Sequence, residues 1–329
     1  MKKVLLTGGL GYIGTHFFET YQDQYLLKIL DTNFFNNKLI ESENIIFKDI
    51  REVEKKDIEG FECVVHMAEL SNDPLGDLNK EMTEKINHLG TKKLMEIANN
   101  TSVNKFIYMS SASVYGFSES IMKEDSPINP LTEYSKAKAK NEKFILDNDF
   151  SFETIILRNS TAFGFSNNLR LDLVVNDLTF DGYFNKKINL LSDGTPKRPL
   201  VHIYDICNFI DILINESRDL NKEIFNVGSD NLNFSIKQVA ETVGKVLNLE
   251  DISFGLHDSD QRSYELSFKK IYEFFPSLKI KYNLEEGIKN LVDNFEKYEL
   301  TGNEKRIKVL QELLSFKKLN NELYWADTK

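Results

Sequence analysis

The chain has 329 residues, 41% of them hydrophobic and 12% aromatic, enough apolar material for the core of one large α/β domain or two smaller ones. Its formal net charge of −10 excludes long-range capture of nucleic acid or anionic membrane, so an anionic ligand must be held by local backbone amides or a few arginines. No apolar run approaches the ~18–20 residues of a membrane span, and glycines break the apolar start MKKVLL below signal-peptide length, so a cytoplasmic protein is expected.

In chain order, KVLLT (3–7), LLKILD (26–31), NIIFKD (44–49), CVVHMA (63–68), KFIYMSS (105–111) and TIILR (154–158) are short apolar runs, which read as buried parallel strands. The stretches from Met82 to Ala98 and from Tyr134 to Leu146 have helical patterning. Alternation of this kind predicts an α/β fold: a Rossmann-type doubly wound parallel sheet with right-handed crossovers. Cys63 and Cys207 sit in apolar segments without CxxC spacing, which predicts two buried, reduced thiols and no metal site.

After Arg158 the rhythm loosens. Residues 169–184 look helical, 188–203 look like strand, turn and strand, and Ser235 with Gln238 forms a capping box opening a helix from Ile236 to Leu247. The predicted division is a first domain over 1–165, with returning segments from about 200–230, and a smaller C-terminal α/β lobe over 166–300. A helical extension over 301–329 carries an apolar stripe of Ile307, Leu310, Leu313, Leu314 and Phe316.

VLLTGGLGYIG places glycines 8, 9, 11 and 14 directly after the first strand, with a helix starting near Tyr12. Without Cβ atoms the backbone can approach a pyrophosphate, which the amides and dipole of the helix N-terminus then hold. Asp31 closes the second strand 20 positions beyond Gly11, where a carboxylate accepts hydrogen bonds from ribose hydroxyls and repels a 2′-phosphate. Thr32 and Asn33 follow it with no arginine nearby, which favours NAD over NADP.

Tyr134 and Lys138 are four residues apart and so share a helix face. The lysine charge stabilises a phenolate, letting a group with a pKa near ~10 act as a base closer to neutrality. Ser111, ending the fifth strand, can bond the same substrate hydroxyl and relay its proton. In a parallel sheet these groups converge with the glycine loop at the strand C-termini.

Together these residues resemble the extended short-chain dehydrogenase/reductase family, especially its NAD-dependent nucleotide-sugar epimerases and dehydratases, with UDP-glucose 4-epimerases among them. TGGLGYIG, KDIRE (48–52), HMAEL (66–70), INHLGT (86–91), MSSASVYG (109–116), YSKAK (134–138) and LRNSTAFG (157–164) occur in family order. The resemblance implies Ser111, Tyr134 and Lys138 as the catalytic trio. It implies cofactor contacts from Gly8, Gly11, Tyr12, Ile13, Gly14, Asp31, Asn33 and Ser110. Asp49 and Ile50 would hold the adenine, Met67 and Ala68 would line the nicotinamide ribose, and Asn87 would support that region. Arg198, in DGTPKRPLVHIYDI, and Arg262, in DQRSY, would bind the nucleotide diphosphate, with Ser113, Thr161 and Asn176 as further substrate contacts.

Departures from the family matter. Ala112 and Ser113 replace the Asp–Glu pair of its dehydratases, which argues against dehydration, and Thr161 stands where many 4-epimerases carry Asn. Glu69 occupies a position where the family has a small residue, and is expected to turn outward. The implied activity is 4-epimerisation of a nucleotide sugar through a transient 4-ketosugar. A C4 dehydrogenase or 4-ketosugar reductase is the runner-up, and a catalytically silent NAD-sensing regulator a reading from another class. Family dimers pair the two helices noted above, so a homodimer is expected, with Ile86, Leu89, Leu94 and Ile97 as apolar positions for that contact or for the core.

Overall fold

Apolar runs bounded by polar residues become strands here because both of their faces are covered. A computed structural model describes residues 1–33, 40–71, 76–77, 79–256 and 262–298; the apolar stripe from Ile307 to Phe316 lies outside the described residues. Seven strands form one sheet in the spatial order Glu223–Val227, Glu153–Asn159, Lys105–Ser111, Cys63–His66, Lys3–Thr7, Leu26–Asp31 and Ile45–Phe47. Each neighbouring pair is parallel. Val4 and Leu6 face a core built with Phe17, Phe18, Ile206 and Phe209 of the helices Tyr12–Tyr21 and Ile203–Asn215. Leu5, between them, faces Leu94, Met95 and Ile145 of the helices Thr91–Ala98 and Glu133–Asp147 on the other side. A strand covered on both sides needs apolar residues at every position, hence the unbroken runs.

The strand Lys3–Thr7 has Leu26–Asp31 on one side and Cys63–His66 on the other. Chain order reverses there, opening a crevice at the strand C-termini, where ligands bind in such sheets. A third core lies beyond those ends. Leu178 and Phe180 of the helix Val174–Asn185, Val239 and Val243 of Ile236–Leu247, and Ile288, Leu291 and Phe295 of Leu284–Lys297 pack together in it. The capping box forms: Ser235 Oγ accepts the Gln238 amide at 3.2 Å, and Gln238 Oε1 accepts the Ser235 amide at 2.8 Å.

Some expectations need correction. The strand expected over 63–68 ends at His66, because the chain leaves the sheet to pass against Gly8. The helix expected from Met82 starts at Lys80 and opens into a π-helical stretch, Glu84–Gly90, before Thr91. The helical segment expected from 169 starts at Val174. Ile86 and Leu94 belong to the core and Ile97 packs partly against it, leaving Leu89, at 50% exposure, as the outward-facing residue of the four considered for a dimer contact. Both cysteines are buried and unbridged, and burial pushes the Cys63 thiol up to about 12. Among the described residues, no helix is long and apolar enough to cross a membrane.

Candidate active site

At the crevice, Gly8 adopts φ +71°, and a Cβ there would lie 2.6 Å from the Ala68 amide nitrogen. Glycine is therefore required both for the turn and for the approach of the Met67–Ala68 backbone. Gly14 plays the packing role: a Cβ on it would sit 2.4 Å from the Cα of Gly9. Gly11 is the N-cap of the helix Tyr12–Tyr21, and among the described residues no side chain caps that end. Asp31 reaches back across the turn, accepting the Leu10 amide at 3.0 Å and the Asn33 amide at 2.8 Å. A glycine turn, an uncapped helix N-terminus and a strand-end carboxylate in this arrangement fit a dinucleotide.

Other residues expected at the cofactor make definite internal contacts. Tyr12 donates its phenol to the Gly164 carbonyl at 2.6 Å. Both Asp49 oxygens accept from the Arg51 guanidinium, at 3.0 and 2.7 Å, and Ile50 packs in the core. Asn87 bonds both backbone groups of Leu70, at 2.8 and 3.1 Å, and so braces the segment that carries Met67 and Ala68. Ser110 donates to Glu142 Oε1 at 2.5 Å.

A cleft of about 620 Å³ is lined by Ile13, Met67, Ser110, Ser111, Ser113, Tyr134, Lys138, Thr161, Arg198 and Arg262, so ten of the expected residues come together from across the chain. The Tyr134 helix is set by Thr132, whose hydroxyl accepts the Ser135 amide at 3.2 Å while Ser135 Oγ accepts the Thr132 amide at 3.0 Å. One turn later, Lys138 is buried; its ammonium donates to the Met109 carbonyl and lies 5.5 Å from the Tyr134 ring centre. Ser111 caps the short turn Ala112–Tyr115, accepting the Ser113 amide at 3.2 Å.

Glu69 overturns the expectation that it faces outward. Its side chain is 1% exposed, and Oε2 lies 2.8 Å from the Lys138 ammonium. Oε1 accepts the Tyr108 hydroxyl at 2.9 Å, and that hydroxyl accepts from Asn141 Nδ2 at 2.8 Å. Burial raises the Glu69 carboxyl above its ordinary range, against the pull of Lys138. The buried ammonium of Lys138 and the Tyr108 hydroxyl offset part of the cost of burying that carboxyl.

Toward the second lobe, Arg198 donates to the Lys197 carbonyl at 2.8 Å and to the Arg262 carbonyl, which ties the two arginine segments together. Asn176 does not reach the cleft. It is fully buried, because its amide is held by Gly164 and Arg170, accepting the Gly164 amide at 2.9 Å and donating to the Arg170 carbonyl at 2.9 Å. Composition and spacing gave no sign of Asn159 and Ser160, which do line the cleft. Among the described residues, Ser113 Oγ, Ser160 Oγ and Asn159 Oδ1 are buried with no hydrogen-bond partner. Each such atom, left unbonded, costs about 1–3 kcal/mol.

Comparisons with known proteins agree with this geometry. The chain is 28% identical over 328 residues to dTDP-D-glucose 4,6-dehydratase of Mus musculus, covering 90% of this chain and 89% of that one. It is 28% identical over 237 residues to a putative UDP-glucose 4-epimerase of Methanocaldococcus jannaschii, covering 69% and 76% of the two chains. The fold superposes on MoeE5 in complex with UDP-glucuronic acid and NAD with a TM-score of 0.79 at 22% identity, over 91% of this chain and 100% of that one. Residues 4–228 match the NAD dependent epimerase/dehydratase family, and the chain is a member of that NAD-dependent family.

Proposed function

We propose that the protein is a nucleotide-sugar 4-epimerase acting through a transient 4-ketosugar. The observation that carries this reading is the convergence of Ser111, Tyr134 and Lys138 on one cleft that also holds the Arg198–Arg262 pair. The two arginines suit a diphosphate, compensating locally for the acidic chain, and the polar wall between them and Tyr134 suits a hexose.

The glycine turn, Asp31 and the Met67–Ala68 backbone would hold NAD, which when bound supplies a hydride acceptor and donor. Tyr134 takes the proton of the C4 hydroxyl and later returns it. Ser111 bonds the same oxygen, and Lys138 stabilises the phenolate. In an epimerase the ketosugar turns about its anomeric linkage so that its opposite face is presented. Ala112 and Ser113 supply no carboxylate beside Ser111, which weighs against dehydration even though one relative is named a 4,6-dehydratase.

The test uses the purified full chain with a panel of UDP-, dTDP-, CDP- and GDP-hexoses. Epimerisation without added cofactor, and a Tyr134→Phe variant that loses about 10²–10⁴ of its turnover yet keeps NAD, are expected. Turnover that depends stoichiometrically on external NAD or NADH would favour the C4 oxidoreductase. Equal loss of NAD binding and turnover in the variant would refute the role given to Tyr134.

A further inference from the structure

Glu69 sits in the wall of the cleft beside Ser111, Tyr134 and Lys138, yet the mechanism above assigns it nothing. Its carboxylate is one of four groups around the Lys138 ammonium, the others being the Met109 carbonyl and the Tyr108 and Tyr134 rings, whose centres are 4.8 and 5.5 Å away. A carbonyl and a ring solvate a cation without cancelling its charge; a carboxylate cancels it. Without Glu69, the lysine would present a full positive charge to the Tyr134 phenol and to the neighbouring cofactor crevice.

We propose that Glu69 is a positioning residue that neutralises Lys138, biasing the cleft toward oxidised over reduced nicotinamide and holding Tyr134 as a phenol until substrate is engaged. The inference rests on the epimerase reading and deepens it. An oxidised nicotinamide ring carries a positive charge that the reduced ring lacks, so an uncompensated lysine disfavours the oxidised form. A cycle that ends with the hydride back on the sugar benefits from a site that prefers the oxidised cofactor.

The surroundings make Glu69 the residue that sets this balance. Lys138 lies near the Tyr134 ring on its own helix, and Tyr108 on the strand Lys105–Ser111 and Arg170 from the loop before Val174 are near enough to interact with it electrostatically. Arg170 is matched by Asp172, through contacts of 3.0 and 2.5 Å. Buried His66, whose ring is 5.9 Å from that of Tyr108, is held neutral by burial and by the charge of Lys138. Asn141 and Tyr108 brace the carboxylate in place. The local charge therefore turns on whether residue 69 carries a carboxylate.

The decisive experiment compares wild type, Glu69→Gln and Glu69→Asp in the full chain, without substrate, so that its outcome is independent of which sugar is used. Dissociation constants for NAD and NADH are measured by calorimetry, and the Tyr134 phenol is titrated by ultraviolet difference against Tyr134→Phe in each background. Glu69→Gln is expected to shift the NAD-to-NADH preference toward NADH by about tenfold or more and to lower the phenol midpoint by about one pH unit, with Glu69→Asp restoring both. If Gln does not give folded protein, Glu69→Ala is read the same way. An unchanged preference and midpoint, with only a lower melting temperature, would overturn the proposal and leave Glu69 as packing. Sugar-nucleotide panels that show no epimerisation, beside a shifted cofactor preference, would sink the epimerase reading instead.

Discussion

Arg158 donates to the Glu142 carboxylate through Nη2 at 2.8 Å and Nε at 3.1 Å, with both side chains at most 5% exposed. Glu142 is four residues beyond Lys138 on the same helix, so one helix face carries Tyr134, Lys138 and Glu142 in successive turns. Ser110 donates to the same carboxylate at 2.5 Å, and Arg158 donates to the Tyr115 hydroxyl at 2.8 Å. The helix is thereby fastened to the two strands behind the cleft. Removing one partner leaves a buried, uncompensated charge, so Glu142→Ala should cost about 3–5 kcal/mol in urea unfolding. A loss under about 1 kcal/mol would show that the pair does not hold the helix.

Gly8→Ala separates backbone strain from steric exclusion. Gly8 and Gly60 both have positive φ, +71° and +88°, but a Cβ on Gly60 meets nothing within 4 Å. Gly60→Ala should therefore cost only the left-handed strain, about 1–2 kcal/mol. At Gly8 the new methyl would strike the Met67–Ala68 backbone, so a larger stability loss and at least about tenfold weaker NAD binding are expected, with an effect no greater than that of Gly60→Ala counting against the cradle.

Substrate affinity should respond to the arginine pair separately from cofactor affinity. Arg198→Ala and Arg262→Ala are each expected to raise KM for the sugar nucleotide by about 10–100-fold, the value of a charge-assisted hydrogen bond, while NAD binding holds. Steady-state kinetics alongside NAD titration checks this. A fall in kcat with KM unchanged would remove the diphosphate role proposed for them.

Acid should destabilise the fold through buried histidines. Burial, with nearby Lys281, Lys138 and His16 respectively, lowers His16 to about 4, His66 to about 3 and His202 to about 3. The unfolded chain protonates these rings from about pH 6.5 downward while the folded chain does not, so their contribution is present above pH 6.5 and is lost as pH falls toward 4. Each contributes a slope of up to about 1.4 kcal/mol per pH unit. Asp205 acts in the opposite sense: burial raises it to about 6 against the Lys281 and Tyr282 amides, so its folded form holds a proton that the unfolded form has released between about 4 and 6. Buried Glu69 and Glu124, also raised, act in the same sense as Asp205, but the three histidines are lowered to about 3–4, so melting temperature should fall as pH drops from 6.5 to 4.5. Asp205→Asn should steepen that fall, and a flat profile would contradict the neutral burial of these rings.

Much of the sheet and of the cleft was legible in the chain because the signals are local. An unbroken apolar run such as Lys3–Thr7 reports burial on both faces, and a glycine at position 8 reports a turn that no side chain fits. Tyr134 and Lys138 lie on one face by helical spacing alone. The strand pair Phe117–Met122 and Ser263–Leu266 was not legible: its partners are far apart in sequence, and its first strand is mostly exposed, so no apolar run marks it.

The amino-acid order by itself determined the buried strands, the dinucleotide turn and the identity of the phenol, ammonium and hydroxyl groups, since each depends on neighbours within about a helical turn or a strand. Only the tertiary structure decided that Glu69 turns inward to Lys138 and that Asn176 is locked against Gly164 and Arg170. A polar side chain settles where its partners are. Those partners, the Tyr108 hydroxyl among them, reach Glu69 only after separate strands and helices have packed.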